Sequence, residues 1–295
     1  MRSSLRVKNR EGGERSCLMS RRQRSPVKPL QPLKVFATVL CAVFIVKVSL
    51  KFVSGAQDSL PGGFEGQARK KVISYSLYGS ESRYMDGAIA NARLVKSIYD
   101  DWSMRIYHDS SVPAGVLRSL EDLDVELINM SGTVLNGMTW RFLVASDRTV
   151  DVWCSRDIDS RLSFREKVCV DEWLGTKQSV HIIRDHPSHT QVIPGGTWCG
   201  TRNAIPEMES ILKRTSVPMQ YGADQNFLKR HVWPRLKANT IQHVSFGCAR
   251  FKGSRPIPVK RKGLEHVGSV FIDGKPRSTD LDILQAALLR GIECT

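Results

Sequence analysis

The alternation of short apolar segments with amphipathic segments between residues 71 and 174 restricts the fold more than any other feature of the sequence. Segments rich in β-branched and aromatic residues, which are typical of buried strands, occur at 72–78, 104–109, 124–129 and 150–154. Between them, apolar residues recur at helical spacing, at 85–98, 111–120 and 140–145. This alternation predicts an α/β fold with a mostly parallel, Rossmann-like sheet that carries helices on both faces.

Later segments continue the same pattern. Ser163 and Glu166 have the spacing of a capping box, which predicts the start of a helix. Asp224 begins another helix, which we predict to end at Pro234 because proline breaks helical hydrogen bonding. The remaining predicted elements are a strand at 240–246 and a helix at 279–290.

Two carboxylates stand where the fourth predicted strand ends, in the segment SRDIDSR at 155–161. Alternate side chains of an extended segment point the same way, so Asp157 and Asp159 can face one cation. Oxygen ligands suit Mg²⁺ or Mn²⁺, and these ions in turn bind phosphate oxygens. The pair therefore favours a metal–diphosphate site. The alternative is a solvated loop in which Asp157 pairs with Arg156 or Arg161.

Six segments carry a more specific pattern: ISYSLYG (73–79), SRDIDSRLSFREKVCVDEWL (155–174), HIIRDHPSH (181–189), IPGGTWCG (193–200), YGADQNFL (221–228) and VKRKGLEHVGSVF (259–271). Through these segments the chain resembles the nucleotide-sugar-dependent glycosyltransferases of the GT-A fold, over about two-thirds of its length. The resemblance implies a GT-A type domain at 71–295. It also implies a nucleotide-sugar donor, with UDP favoured over GDP.

The resemblance assigns roles to individual residues. It implies that Asp157 and Asp159 hold a divalent metal, with Mn²⁺ favoured and Mg²⁺ as the alternative, and that His243 completes the metal shell. Donor-binding roles fall to Tyr78, Gly79, Arg83, Arg161, Lys260 and Lys262. For His243, the competing interpretation is an ordinary buried histidine.

Further roles concern the transferred sugar and its acceptor. The resemblance places catalysis at Asp224 and Gln225, near the anomeric carbon, whereas Asp224 could equally be a helix cap. The residues implied in sugar or acceptor binding are Arg184, Asp185, Gly195, Gly196 and Trp198. For Trp198 the alternative is a place in the core, and for Arg184 and Asp185 it is a surface ion pair. Zinc binding by the histidines of HIIRDHPSH is disfavoured because Pro187 breaks helical spacing.

The N-terminal part of the chain predicts a membrane anchor. Residues 1–34 contain ten basic and two acidic residues, and so carry +8 of the formal net charge of +15. The apolar stretch at 35–53 reaches the length of a bilayer span if Lys47 and Lys51 extend to the interface. A signal peptide and a buried helix are the alternatives. Residues 54–70, rich in glycine, predict a flexible stem.

Charge distribution sets the predicted orientation. Basic residues before a span keep the N-terminus in the cytoplasm, which predicts a type II protein of the Golgi or endoplasmic reticulum with a lumenal domain. Asn129 begins the sequon Asn-Met-Ser, a glycosylation site in such a compartment. A nucleic-acid-binding role is disfavoured because the most basic region precedes the span and its charges do not interleave with aromatic residues.

Five cysteines follow the predicted span, at 154, 169, 199, 248 and 294. This odd number permits two disulfides and one free thiol. Cys154 lies in an apolar strand, and we predict it to be a core residue rather than half of a disulfide.

These observations favour a metal-dependent, membrane-anchored glycosyltransferase that moves a sugar to a hydroxyl acceptor on a glycan, protein or lipid. The alternative from another functional class is a catalytically inactive, membrane-anchored protein of the same fold that binds glycans or acts as a scaffold.

Overall fold

The computed structural model describes residues 69–294. The predicted tail at 1–34, the predicted anchor at 35–53 and all but the last two residues of the predicted stem lie outside the described residues. Among residues 69–294, no helix combines the length and the apolar character that crossing a bilayer requires.

A seven-stranded sheet forms the centre of the described domain. Its strands are β1 (Lys71–Leu77), β2 (Ser103–His108), β3 (Glu126–Asn129), β4 (Val152–Arg156), β5 (Val180–Arg184), β6 (Thr197–Thr201) and β7 (Thr240–Val244). Their order is β3-β2-β1-β4-β6-β5-β7. All neighbours are parallel except where β6 pairs with β4 and β5. The predicted α/β class with a mostly parallel sheet is confirmed.

Helices complete the domain. They are α1 (Ser82–Ile98), α2 (Ala114–Glu121), α3 (Phe164–Leu174), α4 (Met208–Thr215), α5 (Ala223–Phe227), α6 (Trp233–Leu236) and α7 (Ser278–Leu289). Irregular helical segments lie at Gly137–Ser146 and Lys237–Asn239 (3₁₀) and at Leu228–Val232 (π), and a short hairpin joins β8 (Phe271–Ile272) to β9 (Lys275–Pro276). The predicted helix end at Pro234 is wrong. Pro234 lies in the first turn of α6, which follows the π segment Leu228–Val232 directly, so the helical run continues past the proline to Leu236.

Alternating side chains of β1 divide the core into two apolar clusters, one on each face of the sheet. Ile73, Tyr75 and Leu77 pack with residues of α1, α2 and α3 on one face. The opposite face carries Val72, which packs with residues of the 3₁₀ segment Gly137–Ser146, α4 and α5. Helices therefore cover both faces, as the sequence predicts.

Two disulfides link strands and loops within the described residues. Cys154 of β4 bonds to Cys199 of β6, and Cys248 bonds to Cys294, while Cys169 is free and buried. The prediction that Cys154 is unbridged is wrong. The antiparallel register of β4 and β6 places Cys199 directly opposite Cys154, so the two can bond without leaving the core.

The connections around β1 create a switch point in the sheet. From β1 the chain proceeds to β2 and then β3 on one side, whereas β4 joins β1 on the other side. In open α/β sheets, ligands bind beyond the carboxyl ends of the strands at such a point. The strand β4 ends at Arg156, two residues later than predicted, so Asp157 is the first residue beyond it.

Candidate functional site

A cavity of about 330 Å³ opens at the carboxyl ends of β1 and β4, at the switch point of the sheet. It brings together seven residues for which the sequence implied a role: Tyr78, Arg83, Asp157, Asp159, Gly195, Asp224 and Gln225. It also contains residues that the sequence did not single out, notably Tyr84, Arg141, Tyr221 and Arg277. Three carboxylates and three guanidinium groups thus share one cavity.

Arg141 joins two of the carboxylates. Its Nη1 lies 2.8 Å from Oδ1 of Asp157, and its Nη2 lies 2.9 Å from Oδ2 of Asp224. The planar guanidinium fork can donate to two carboxylates at once, which the amino group of a lysine cannot do with the same geometry. The alternative partners considered for Asp157 are wrong. Arg156 turns inward to Glu166 at 2.5 Å, and Arg161 lies against Phe271.

The backbone of Arg141 is held to β1 by two serines. The Ser74 hydroxyl donates to the carbonyl oxygen of Arg141 at 2.8 Å, and the Ser76 hydroxyl accepts from its N–H at 2.9 Å. Both serines lie on the same face of β1 because side chains alternate along a strand. The guanidinium also lies over the ring of Phe142, 5.2 Å from its centre. These contacts fix where the guanidinium can reach.

Gly195 and Gly196 allow a loop to approach this network closely. A Cβ on Gly195 would lie 2.8 Å from Nη2 of Arg141 and 2.9 Å from Oδ2 of Asp224. A Cβ on Gly196 would lie 1.9 Å from Oδ2 of Asp157, which is sterically excluded. The Ser155 hydroxyl donates to the Gly195 carbonyl at 2.9 Å and holds the loop there. The backbone of this loop does approach its neighbours closely, as predicted. The groups that it approaches are the carboxylates of Asp157 and Asp224.

Asp159 differs from Asp157 because no ion pair engages its carboxylate within residues 69–294. Burial raises the pKa of Asp159, and the neighbouring charge of Asp157 raises it further, while Arg83 and Arg141 act in the opposite direction. A carboxylate with this surplus of negative potential favours a cation as its partner. Asp159 is therefore the better placed of the two acids to bind a metal directly.

Asp224 is buried at the start of α5. Burial raises its pKa, and the attraction of Arg141 lowers it, with burial the larger effect. Its Oδ1 accepts the backbone N–H of Gln225 at 2.8 Å. The Gln225 side chain lines the same cavity, so the predicted acid–amide pair lies beside the acid pair.

Two further arginines border the cavity, and the Nη1 group of each makes no hydrogen bond to residues 69–294. Arg83 lies 3.3 Å from Glu81 and stacks on Tyr84, 4.4 Å from the ring centre. Arg277 forms a 2.8 Å ion pair with Asp280 and is partly exposed. Positive groups on the rim and carboxylates in the interior suit a ligand that brings a cation and an anion together.

Four residues with predicted donor-binding roles lie outside this cavity. Gly79 donates its N–H to the Ser111 hydroxyl at 2.6 Å and adopts a φ of +76°, which explains the glycine there. Arg161 lines a separate cavity with Leu162 and Phe271. Lys260 and Lys262 are exposed and line none of the cavities described here. The structure therefore does not bring these four residues into the lining of the cavity.

The predicted sugar-binding pair Arg184 and Asp185 is part of the interior. Arg184 donates to the carbonyl oxygen of Gln191 at 2.7 Å and to the Gln242 side chain at 2.8 Å. Asp185 pairs with Arg165 and Arg261, each at 2.7 Å. Arg184 and Asp185 therefore form neither the predicted contacts with a sugar nor the alternative ion pair on the surface. Both side chains are fully buried and satisfied by the protein, so they hold the loop that follows β5.

Trp198 and His243 also lie in the interior. Trp198 packs edge-on against Trp153, with ring centres 4.7 Å apart, and is a core residue. His243 is fully buried on β7, and its Nδ1 lies 2.8 Å from Nε2 of His181. The structure does not bring His243 to Asp157 and Asp159. We therefore remove it from the candidate metal ligands.

The residues present fit a divalent cation with few protein ligands. Within residues 69–294 no group of three or more histidine, cysteine or acidic side chains is arranged around a point that could hold a metal. Mg²⁺ and similar ions are commonly bound by one or two carboxylates, with water and substrate phosphates as the other ligands. The unpaired carboxylate of Asp159, together with Asp157, suits that mode of binding.

Comparisons with known proteins give a resemblance of fold only. No family model and no curated protein sequence matches this chain. Similar solved structures include a glycosyltransferase involved in the glycosylation of the major capsid of PBCV-1, at 14% identity and a TM-score of 0.41, covering 59% of this chain and 81% of that chain.

Two other similar structures belong to different enzymes. One is 4-diphosphocytidyl-2C-methyl-D-erythritol synthase from Anaerococcus prevotii, at 11% identity and a TM-score of 0.39, covering 55% of this chain and 82% of that one. The other is glucosyl-3-phosphoglycerate synthase from Mycobacterium tuberculosis in complex with Mg²⁺ and UDP, at 13% identity and a TM-score of 0.39. The match covers 59% of this chain and 68% of that one. Likeness at this level assigns no activity, so function must be inferred from the site.

Proposed function

We propose that this chain is a glycosyltransferase that transfers a sugar from a nucleoside diphosphate donor to a hydroxyl acceptor, and that it requires a divalent cation. The observation that supports this most strongly is the composition of the cavity at the switch point. It combines the acid pair Asp157 and Asp159 with three arginines at the place where α/β sheets bind nucleotides.

The chemistry of such a transfer matches the charges of the cavity. The acceptor oxygen bonds to the anomeric carbon and its hydroxyl proton is released to solvent. The bond between that carbon and the diphosphate oxygen breaks, and the diphosphate leaves with the bonding electrons. A divalent cation, when bound, supplies Lewis-acid stabilisation of the charge on the leaving diphosphate. Arg83 and Arg277 lie where they can donate hydrogen bonds to the same anion.

The Arg141 network gives the proposed reaction its geometry. Arg141 contacts both Asp157 and Asp224 and so fixes the distance between them. In the proposed reaction Asp157 lies beside the cation and Asp224 lies near the transferred sugar. Fixed polar groups need no reorganisation as charge develops in the transition state. Tyr78, at the end of β1 and packed on Trp140, offers an aromatic surface for the base of the nucleotide.

The first prediction concerns donor binding. We expect UDP together with Mn²⁺ to raise the unfolding temperature of the full-length chain, because a ligand that binds only the folded state stabilises it. The stabilisation is about 2.7 kcal/mol at a concentration 100 times the dissociation constant. Differential scanning fluorimetry with UDP, GDP or UMP, each with Mn²⁺ or with EDTA, measures this effect.

The arms of this experiment separate the components of the proposal. UMP is the control that keeps the base and lacks the diphosphate. Equal stabilisation by UDP with Mn²⁺ and with EDTA would remove the cation from the proposal. Release of UDP or GDP from a panel of nucleotide sugars, with a glycosylated product, then tests transfer. A protein that binds the diphosphate and turns over no donor would instead be the catalytically inactive alternative.

We also propose a type II topology, with the described domain in the lumen of the secretory pathway. Two disulfides support an oxidising compartment, since such bonds are rare in the cytosol. Asn129 is exposed at the end of the edge strand β3, and its side chain accepts the N–H of Ser131 in a turn. The sequon is therefore accessible to glycosylation.

A second prediction follows from this topology. We expect the full-length chain expressed in a eukaryotic secretory pathway to carry a glycan on Asn129. Treatment with an N-glycosidase should increase its gel mobility, and the variant Asn129→Gln should show no change. Identical mobility of the wild-type chain before and after treatment, with the N-terminal tail protected from added protease, would contradict the orientation.

A further inference from the structure

A second cavity, of about 200 Å³, adjoins the first. The two share six lining residues: Asp157, Gly195, Tyr221, Gln225, Val270 and Arg277. The second cavity is also lined by three histidines, His186, His189 and His266, which the reaction described above does not use. A group bound there would lie next to the predicted acid–amide pair.

The hydrogen bonds of these histidines identify the protons on their rings. Nδ1 of His189 accepts the backbone N–H of Asp185 at 3.2 Å, so in the neutral ring the proton is on Nε2. His266 is the reverse case. Its Nδ1 donates to the carbonyl oxygen of Leu264 at 3.2 Å, which leaves a lone pair on Nε2.

His186 is satisfied within the protein. Its Nδ1 accepts the N–H of Ser188 at 3.1 Å, and its Nε2 donates to the carbonyl oxygen of Asp280 at 2.9 Å. Of the three rings, only His266 keeps a free lone pair, so together they do not form a zinc site. The cluster instead offers one spare donor, on His189, and one spare acceptor, on His266.

Both spare groups keep these roles at neutral pH. Burial, followed by the neighbouring imidazoles, lowers the pKa of His189 to about 3. Burial also lowers the pKa of His266, against a smaller opposing effect of its bond to Leu264. A neutral donor and a neutral acceptor that line the same cavity match the hydroxyl groups of a ligand, because a hydroxyl group both accepts and donates a hydrogen bond.

The mouth of the cavity adds an apolar surface. Tyr221 is 97% exposed and lines both cavities. The nearby acid Asp280 is neutralised by Arg277, and its carboxylate is therefore not free to attract a cationic group. An exposed aromatic ring beside a few fixed polar groups suits the apolar face and the hydroxyls of a sugar ring.

We propose that this second cavity binds a neutral sugar unit of the acceptor, with His189 Nε2 donating to, and His266 Nε2 accepting from, its hydroxyl groups, and Tyr221 packing on its ring. This inference rests on the proposed glycosyltransferase function, and it narrows the acceptor to a carbohydrate in preference to a peptide hydroxyl or a lipid alcohol.

The test uses methyl glycosides of glucose, galactose, mannose and N-acetylglucosamine as probes. Saturation-transfer NMR titrations with the full-length chain, UDP and the diamagnetic ion Mg²⁺ measure their affinity. We expect at least one probe to bind, and His189→Phe and His266→Phe each to weaken that binding about ten-fold, because each leaves a hydrogen-bonding group of the sugar unsatisfied. His189→Gln and His266→Gln retain a donor and an acceptor respectively, and should stay within about three-fold of the wild type.

Controls keep the test decisive. Tyr221→Ala changes an exposed residue and should weaken probe binding without affecting folding, whereas His231→Phe, outside these two cavities, should leave it unchanged. Stabilisation by UDP with Mn²⁺ should persist in the histidine variants, whose side chains do not line the first cavity. Loss of that stabilisation from the wild-type chain would defeat the proposed function itself. Three other outcomes would overturn only the acceptor site, provided that UDP still stabilises the chain. They are that no glycoside binds, that a serine peptide binds in place of the glycosides, or that glycoside binding is insensitive to both histidine substitutions.

Discussion

Replacement of Asp159 by asparagine is expected to lower the rate of sugar transfer about 10²–10³-fold, which corresponds to a loss of a few kcal/mol of transition-state stabilisation. The substitution keeps the shape of the side chain and removes the charge that faces the cation. Because the pKa of Asp159 is raised in the folded state, its ionised form is destabilising above that pKa. The variant should therefore unfold at the same or a higher temperature than the wild type in the absence of metal.

Steady-state turnover and thermal unfolding together test this prediction. The matched control is Asp100→Asn, an exposed aspartate that precedes β2 and lies at the opposite edge of the sheet from the cavity. It should leave both measurements unchanged. Wild-type turnover of Asp159→Asn at saturating Mn²⁺ would show that the carboxylate is not a metal ligand. Loss of folding would show that its role is structural.

Replacement of Arg141 by glutamine is expected to lower the free energy of unfolding by about 3 kcal/mol, because it leaves the buried carboxylate of Asp224 without its ion-pair partner. Transfer activity should fall by about 10² or more, since Asp157 and Asp224 lose their fixed positions. The Asp157 contact adds less to the stability change, because that side chain is 44% exposed and screened by water.

The pH dependence of this loss has a definite sign. Loss of Arg141 raises the pKa of Asp224 above its already raised value, so the folded state binds a proton more tightly than the unfolded state does. The destabilisation should therefore be smaller near pH 5 than near pH 7.5. Urea unfolding at both pH values measures it.

Two further variants complete this test: one is a control for the loss of an ion pair, and the other measures the energetic coupling between Arg141 and Asp224. Arg202→Gln breaks the exposed ion pair with Asp151 and should cost about 0–1 kcal/mol. In the double variant Arg141→Gln with Asp224→Asn, the second substitution should cost much less than it does alone, as expected for residues in one network. Additive costs at both pH values would show that Arg141 acts independently of Asp224.

Local signals in the sequence predicted the framework of the site. The strands β1, β2 and β4 consist of β-branched and aromatic runs, and the start of α3 is marked by Ser163, whose hydroxyl accepts the N–H of Glu166. Because parallel strands end at one edge, the position of the acid pair after β4 followed from pattern alone. These features depend on residues close together in the chain, which is why they could be predicted.

The contacts that organise the site depend on residues far apart in the chain. Arg141 meets Asp224 across 83 residues, and nothing in the segment TWRFLVAS around it indicates that contact. The one available signal was the pair Ser74 and Ser76, which interrupts the apolar run of β1 on one face and so requires a polar partner.

The misassigned residues have a related cause. His243 and Trp198 are of types common in binding sites, but both side chains are buried in the core. Trp198 lies on β6, between β4 and β5, whereas His243 lies on the edge strand β7, which β6 and β5 separate from β4. In the segment Lys260-Arg261-Lys262 only the middle residue turns inward, to Asp185 and Glu293. Residue type and spacing could not distinguish these cases, because the strand order and the loop path decide them.

The disulfide between Cys154 and Cys199 has a consequence for when the site forms during biosynthesis. Asp157 follows Cys154 by three residues, and Gly196 precedes Cys199 by three, so the bond joins the two strands that carry the acid pair and the glycine loop. One wall of the cavity is thus joined to another by a bond that forms only when two thiols are oxidised. A chain held in a reducing environment after synthesis would have every residue of the site and lack the covalent link that sets the spacing between the acid and the loop.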